Sequence, residues 1–444
     1  MNNIDLTEKL VNKCIKLGAD AAEVYLQVSR NLSIQILNSE IDTIEESASQ
    51  GVGFRVFVEG KMGFSHCNNL SNSAIEDTIS RAVAFARLST PDENNVLTSD
   101  TAVSPVEGIY DPEITGIPMD RKIAMALDIE KMAMSDPRIS KSYGSGFGEA
   151  ETEIFIGNSN GILKSTKESG CSIGVSVVAE KGDQKNTGSE YCSRIYFDDL
   201  ESLDKIAALA SKKAWELLDP VMVPTQRAAV IFDPAVARSL IGGILTAING
   251  ERVLQGASFL RDSLHKQFAS PLLTIIDDGI KTKGLASAPF DGEGVPTMRN
   301  VLVEKGVLNS FIYNVKAAKR AGVKSTGNAS RGGFDSLPGI GTHNIIIEAG
   351  KSSRNEIIAD TRRGFLVKEV TGYGIDSVSG NFSGGAAGFW IENGEIAYPV
   401  KGLTIAGRAS EILNAIDMMG NDIDMNRSFA ASTFRIAEMQ IGGK

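Results

Sequence analysis

The stretch Phe389-Trp390-Ile391-Glu392-Asn393-Gly394-Glu395-Ile396-Ala397-Tyr398-Pro399 constrains the fold more tightly than any other part of the chain. Two apolar, β-prone arms flank Asn-Gly, a dipeptide that tolerates the positive φ values of a two-residue type I′ turn, so the segment is expected to form a β-hairpin. Residues 372–385, just before it, are dense in Gly, Ser and Asn. Small residues let backbones approach closely and the polar ones supply hydrogen bonds, which suits a groove that receives another main chain. The same composition suits an ordinary surface loop.

A chain of 444 residues exceeds what one hydrophobic core usually supports, so two or more domains are expected. Its start, Met1-Asn2-Asn3-Ile4-Asp5, has no basic region leading into an apolar run, and no later segment reads as a membrane span. A cytoplasmic protein is expected. Cys14, Cys67, Cys171 and Cys192 show no paired spacing, as reduced thiols would. Forty-five basic and fifty-five acidic residues give a formal charge of −10 without a cluster of Lys and Arg, which argues against direct nucleic-acid binding.

The spacing of Leu6, Leu10, Val11 and Ile15 predicts an amphipathic helix capped by Asp5 or Thr7 and stopped at Gly18. Alternating stretches follow at Ser33–Leu37, Ile41–Ile44, Gly51–Val58 and Met62–His66, with a turn at Glu59-Gly60 and a helix from Leu70 to Leu88. Ser89–Pro118 reads as a long connection. Helices are expected around Asp120–Met134 and Leu200–Leu218, with strands near Glu153–Phe155, Gly161–Thr166 and Cys171–Ala179. Pro220 and Pro224 break regular structure after the last of these helices and place a boundary at 219–225. Beyond it, Ala228–Phe232 reads as a buried strand, and Asp233-Pro234 as the cap and first residue of a helix with Leu240, Ile241, Ile244, Leu245 and Ile248 on one face. The expected class is α+β: residues 1–220 an α/β domain with a mixed or antiparallel sheet, and residues 225–444 a β-rich, barrel-like domain with one long helix.

Three histidines, His66, His265 and His343, are too few and too scattered for a local zinc motif, and His66 beside Cys67 has no partner at ligand spacing. Gly170-Cys171-Ser172-Ile173-Gly174 matches the Gly-x-Ser-x-Gly pattern of a hydrolase elbow, but the alternating residues after it read as a strand rather than the required helix. Gly350-Lys351-Ser352 lacks the first glycine of a phosphate loop, and Gly144-Ser145-Gly146-Phe147-Gly148 lacks the third glycine of a dinucleotide fingerprint. The pairs Asp277-Asp278 and Asp291/Glu293 could divide acid and base roles, although a solvated face is the expected reading of both.

Several motifs taken together resemble the PmbA/TldD family, whose members carry the label of DNA gyrase modulators and are understood as metallopeptidases. Gly51-Val52-Gly53-Phe54-Arg55-Val56, Gly256-Ala257-Ser258-Phe259-Leu260, Ser379-Gly380-Asn381-Phe382-Ser383 with the hairpin above, and Thr404-Ile405-Ala406-Gly407 carry the resemblance, which runs nearly end to end. In one branch of that family the central helix holds His-Glu-x-x-x-His and a C-terminal Cys completes a zinc site. The matching helix here, Arg238 to Gly250, contains neither His nor Glu, and the C-terminal stretch reads Met419-Gly420-Asn421-Asp422.

The resemblance therefore points to the PmbA (TldE) branch. It implies a non-catalytic subunit of a heteromeric zinc peptidase acting on short unfolded peptides, with no metal or catalytic residue in this chain and zinc in a homologous TldD-type partner. A homodimer in isolation and a soluble, membrane-free habit accompany that expectation. Ser379, Gly380, Asn381, Ser383 and Glu392 are the expected peptide-groove or subunit-contact residues. The alternative is a regulatory protein acting on gyrase indirectly through a toxin–antitoxin system. Ser172, Cys171 and His265 are the only candidates for an enzyme of other chemistry.

Overall fold

In the computed structural model, which describes residues 2–372 and 374–444, the Asn393-Gly394 hairpin is present, with φ of 52° and 82° at its two turn residues. Met1 and Tyr373, the latter within the glycine-rich stretch, lie outside the described residues. The first part of the chain holds α1 (Asn3–Lys16), β1 (Ala21–Leu37), β2 (Glu40–Val58), β3 (Lys61–Cys67), α2 (Asn72–Leu88), α3 (Met119–Met134), β4 (Ile139–Asn158), β5 (Leu163–Lys181), β6 (Gln184–Arg194) and α4 (Leu203–Trp215). Its six strands form one antiparallel sheet in the order β3-β2-β1-β4-β5-β6.

Alternation along β1 decides which face of that sheet is covered. Val24 and Leu26 point into the core beneath α1 and α2, and Leu32, Ile34 and Ile36 continue the same face beneath α3 and α4. All four helices thus lie on one side. The opposite face presents Tyr25, Gln27, Ser29, Asn31 and Ser33, the odd-numbered residues of the same strand.

Several local expectations need correction. Asn2 rather than Asp5 or Thr7 caps α1, accepting from Asp5 N at 2.9 Å, while Thr7 is buried and donates to Asn3 O. The strands are far longer than the short alternating runs suggest: β1, β2 and β4 have 17, 19 and 20 residues. Residues 40–50 of β2 are exposed on both faces, so the run read at Ile41–Ile44 has no buried side to match it, yet these residues pair with β1 through to a tight turn at Asn38-Ser39. Gly144–Gly148 lies inside β4, and β6 is a strand that the sequence does not announce.

The second part holds β7 (Gln226–Phe232), α5 (Pro234–Ala247), α6 (Gly250–Leu254), β8 (Ile275–Asp278), β9 (Arg299–Glu304), β10 (Val307–Leu308), α7 (Val315–Ala321), β11 (Ala329–Ser330), β12 (Gly339–Ile340), β13 (Asn344–Ile347), α8 (Arg354–Ala359), β14 (Arg363–Thr371), β15 (Asn381–Glu392), β16 (Glu395–Arg408), α9 (Ala409–Asn414), β17 (Ile416–Met419), β18 (Phe429–Ala430) and β19 (Phe434–Gly442). The order β16-β15-β14-β7-β19 closes on itself because β16 also pairs with β19, making a barrel with β17 appended. A second sheet runs β10-β9-β8-β13-β18. Leu240, Ile241 and Ile244 of α5 share one core with Phe232, Phe365, Trp390 and Ile405 of the barrel. The class is therefore α+β with a closed barrel. Among the described residues, every named strand pairs only with strands on its own side of residues 219–225.

The two parts meet on the open face of the first sheet. Gly51 and Gly53 leave room there for Phe334: a Cβ at Gly51 would stand 2.3 Å from its ring, and one at Gly53 2.1 Å from its carbonyl oxygen. Two residues on, Arg55 donates to Glu23 at 2.7 Å and to Glu293 at 2.8 Å, and Arg331 also binds Glu23. Glu23, Glu293 and Arg331 are almost wholly buried. The expectation of a solvated face at Asp291/Glu293 is thus overturned. Arg55, from a strand 238 residues away, neutralises Glu293, and Asp291 accepts backbone N–H bonds from Glu293, Val295 and Ala329 at 2.9–3.0 Å.

Candidate functional site

Helix α5 is fixed at its start by Asp233, whose Oδ1 accepts from Ala235 N and whose Oδ2 meets Lys368 and Arg354, each at 3.0 Å. Burial works against that charge, but the two cations prevail and hold the Asp233 carboxyl below the usual range. The outer side of the helix carries Ser239, Gly242, Gly243 and Thr246. A Cβ at Gly243 would lie 2.2 Å from Ile375 O, so the glycine admits the segment after β14 onto the helix. Gly242 meets nothing within 4 Å. A glycine inside a helix costs about 0.5–1 kcal/mol relative to Ala, and packing explains only Gly243.

The segment laid across α5 is held by its own polar groups. Asp376 Oδ1 accepts from both the N–H and the hydroxyl of Ser379 at 2.7 Å, and Asp376 O accepts from Gly380 N at 2.8 Å. Phe259 N donates to Ser377 O, and Ala409 N to Gly380 O. Gly380 has φ of 73° and sits against the Phe259 ring, where a Cβ would approach to 3.2 Å. Gly380 is therefore buried and bonded, while Ser379, Asn381 and Ser383 are exposed. Asn381 and Ser383 share the outer face of β15, with Phe382 and Gly384 turned inward.

Glu392 does not belong with them. It ends the same strand eleven residues on, about 35 Å away at the usual rise per residue, where it accepts from the Tyr398 hydroxyl at 3.1 Å. Only the first four of the five expected residues form one patch.

Among the described residues, the groups around α5 do not make up a zinc ligand set. Asp422, the one acidic residue of the Met419–Asp422 stretch, spends both carboxylate oxygens on Thr433, at 2.8 Å to its N–H and 2.6 Å to its hydroxyl. Among the described residues no three His, Cys, Asp or Glu side chains converge. A tetrahedral zinc site needs three or four such donors, so the residues present do not fit the metal.

The remaining candidates disperse as well. Ser172 lies in the middle of β5, and its neighbour Cys171 is buried with its thiol pushed up to about 12. His265 is a loop residue with φ of 61°. His343 and Asn328 both hold the fully buried Asp277, another departure from the expected solvated face, and Asp278 accepts from Ile280 N. His66 lies beside Phe64 and Phe334.

Sequence reasoning missed a cleft between the two parts of the chain. Two adjoining cavities of about 480 and 490 Å³ lie between β6, α4 and residues 422–428. Arg427 bonds Glu190 at 2.8 Å and Asp424 at 3.1 Å and stands 4.6 Å over the Tyr191 ring. Burial, and the nearby charge of Arg427, push the Arg238 guanidinium of α5 down. More than two hundred residues separate Glu190 from Arg427 in the sequence, and no local pattern marks either.

Comparison with known proteins covers almost the whole chain. Residues 225–443 match the PmbA/TldA metallopeptidase C-terminal domain, 22–86 its domain 1 and 112–218 its central domain. The β1–β4 pairing carries one continuous sheet across the two N-terminal matches. The chain is 30% identical to metalloprotease PmbA of Escherichia coli O157:H7 over 99% of its own length and 96% of that protein's. A crystal structure from Bacteroides thetaiotaomicron, described as a modulator of DNA gyrase, superposes with a TM-score of 0.92 at 26% identity, covering 100% of this chain and 99% of that one. TldE from Thermococcus kodakarensis shares the fold, with a TM-score of 0.89 at 24% identity over 98% and 99% of the two chains.

Proposed function

This chain belongs to the PmbA/TldD metallopeptidase family, and we propose that within it the protein is a non-catalytic subunit of a heteromeric zinc peptidase that acts on short unfolded peptides. The observation that carries this reading is the chemistry of α5 and of residues 419–422, where the only acidic side chain is already committed to Thr433. Without imidazole, thiolate or a free carboxylate there is neither a ligand set nor a base to activate a metal-bound water. The zinc then belongs to a homologous TldD-type partner, and this chain shapes the enclosure.

Ser379, Asn381 and Ser383 supply exposed hydroxyl and amide groups beside α5, on a patch whose backbone is fixed by Asp376 and Phe259. Such a patch suits contact with a partner's main chain or with a peptide held as an added strand. Among the described residues no helix is long and apolar enough to cross a membrane; the reading places the assembly in the cytoplasm.

The test is hydrolysis of an unfolded peptide by this chain alone, by the zinc-binding partner alone, and by the two together with zinc, alongside native mass spectrometry of each mixture. Full activity only in the mixture, with a mixed oligomer and no zinc bound by this chain alone, is the expected result. Chelator-sensitive peptidase activity of this chain by itself would overturn the proposal.

A further inference from the structure

Between the open face of the first sheet and the loop at 331–333 lies a cavity of about 340 Å³, lined in part by Tyr25, Gln27, Thr152, Glu168, Gly170 and Arg331. Strand register brings the key groups together. Ser29, Thr152 and Glu168 are cross-strand partners in one row over β1, β4 and β5, and Gln27, Ile154 and Thr166 form the next. Partners in antiparallel strands share a face, so Gln27 and Glu168 emerge on the same side in adjacent rows.

Two acceptors on this face have no protein partner. Gln27 Nε2 donates to Ser29 Oγ at 3.0 Å, and the Ser29 and Thr152 hydroxyls lie 3.2 Å apart. Gln27 Oε1 is buried without a partner. Among the described residues the half-buried Glu168 carboxylate forms no hydrogen bond or ion pair, and burial pushes it up.

The neighbouring cations are committed elsewhere. Arg331 is held by Glu23, Gly292 O and Ser336 O and lies 4.9 Å over the Tyr25 ring, and Lys167 pairs with Glu151 and Glu153. A buried acceptor left unmade is costly, and a carboxylate more so. One carboxylate and one amide oxygen are too few for a calcium or magnesium ion. An ammonium, with three divergent donors and one charge, matches both acceptors.

We propose that this pocket binds an alkylammonium group, with Glu168 as its counter-ion and Gln27 Oε1 as its second acceptor. The chemistry is shared by a peptide amino-terminus and a lysine side chain. It does not depend on the subunit reading above.

The test is titration calorimetry of the full chain with three probes: a tetra-alanine peptide with a free amino-terminus, its N-acetylated form, and an N-acetylated tetra-alanine extended by one lysine. The expected result is binding of one or both ammonium-bearing peptides and none of the acetylated, lysine-free one; whichever binds identifies the source. Glu168→Gln should weaken binding at least ~10-fold, equivalent to about 1.4 kcal/mol, and leave the melting temperature unchanged or raised, because the carboxylate has no partner to lose. A purely structural glutamate would lower it. Gly170→Val is an independent blocking variant, since a Cβ there meets only Arg194 O, at 3.7 Å. The proposal is overturned if the three peptides bind alike, if none binds wild type, or if Glu168→Gln or a folded Gly170→Val binds as wild type does.

Discussion

Arg55→Met should loosen the joint between the two parts of the chain. Arg55 bridges Glu23 and Glu293 at 2.7 and 2.8 Å, and the two carboxylate side chains are each only 1% exposed. Losing it leaves Glu23 with Arg331 but Glu293 with only the backbone N–H of Val315, at 2.7 Å. Removing one member of a buried pair costs about 3–5 kcal/mol, because the other charge stays desolvated. Arg55 Nε has no partner in the wild type, and relief of that orphan donor returns part of the cost, on the order of 1 kcal/mol. The expected loss is therefore roughly 3 kcal/mol, or about 6–12 °C if the melting unit is 150–250 residues long.

Urea and thermal unfolding followed by circular dichroism measure this loss, and the double variant Arg55→Met/Glu293→Gln supplies the control. If the stranded charge causes the loss, the double variant recovers at least ~1 kcal/mol relative to Arg55→Met, a coupling of the size seen for residues in one network. A loss below about 1 kcal/mol in the single variant, or no recovery in the double, would refute the electrostatic account. The joint would then rest on the packing of Gly51 and Gly53 against Phe334.

Burial and the adjacent Glu293 push the Asp291 carboxyl up to about 7. A carboxyl raised on folding adds stability that is present below its unfolded value and is lost as pH rises, so the stability difference between wild type and Asp291→Ala should fall from about pH 4 to 7, by at most ~1.4 kcal/mol per pH unit; a flat difference would contradict it. Burial pushes the Cys14 and Cys171 thiols up to about 12 and raises that of Cys192, so a thiol reagent at pH 8 should modify only Cys67 rapidly in the native chain and all four after unfolding. Gly380→Val meets both a φ of 73° and the Phe259 ring, and should cost about 1–3 kcal/mol and impair assembly with the zinc-binding partner; normal assembly and full peptidase activity of the pair would show the segment to be only a loop.

What the sequence discloses divides along a physical line. The Asn393-Gly394 turn, the Asp233-Pro234 start of α5 and the Glu59-Gly60 turn are visible because each is chosen by a few adjacent dihedral angles. The long strands are hidden because half-burial writes alternation only where something packs. Residues 40–50 of β2 have nothing on either face, and the Gly146 and Gly148 positions of β4 face an uncovered side of the sheet. The family motif Gly51-Val52-Gly53-Phe54-Arg55 shows the limit most clearly. Each alternate residue has a defined task, two making room for Phe334 and the third reaching Glu293, yet the partners stand more than two hundred residues downstream.

The same limit governs the candidate site. Absence of zinc ligands on α5 could be read directly, since it needs no partner. The exposure of Ser379 and Asn381, the separation of Glu392 from them, and the unpaired Glu168 across from Thr152 are all properties of strand register and of what packs across it. A composition rich in Gly, Ser and Asn reports that something approaches closely, but not from which side. At Gly243 and Gly380 the close neighbours are Ile375 and Phe259 of this same chain. Of the two glycines on the outer side of α5, Gly242 alone has room for a main chain from outside. That position, on the helix rather than within the loop laid across it, is where an approaching main chain would bear most directly on α5.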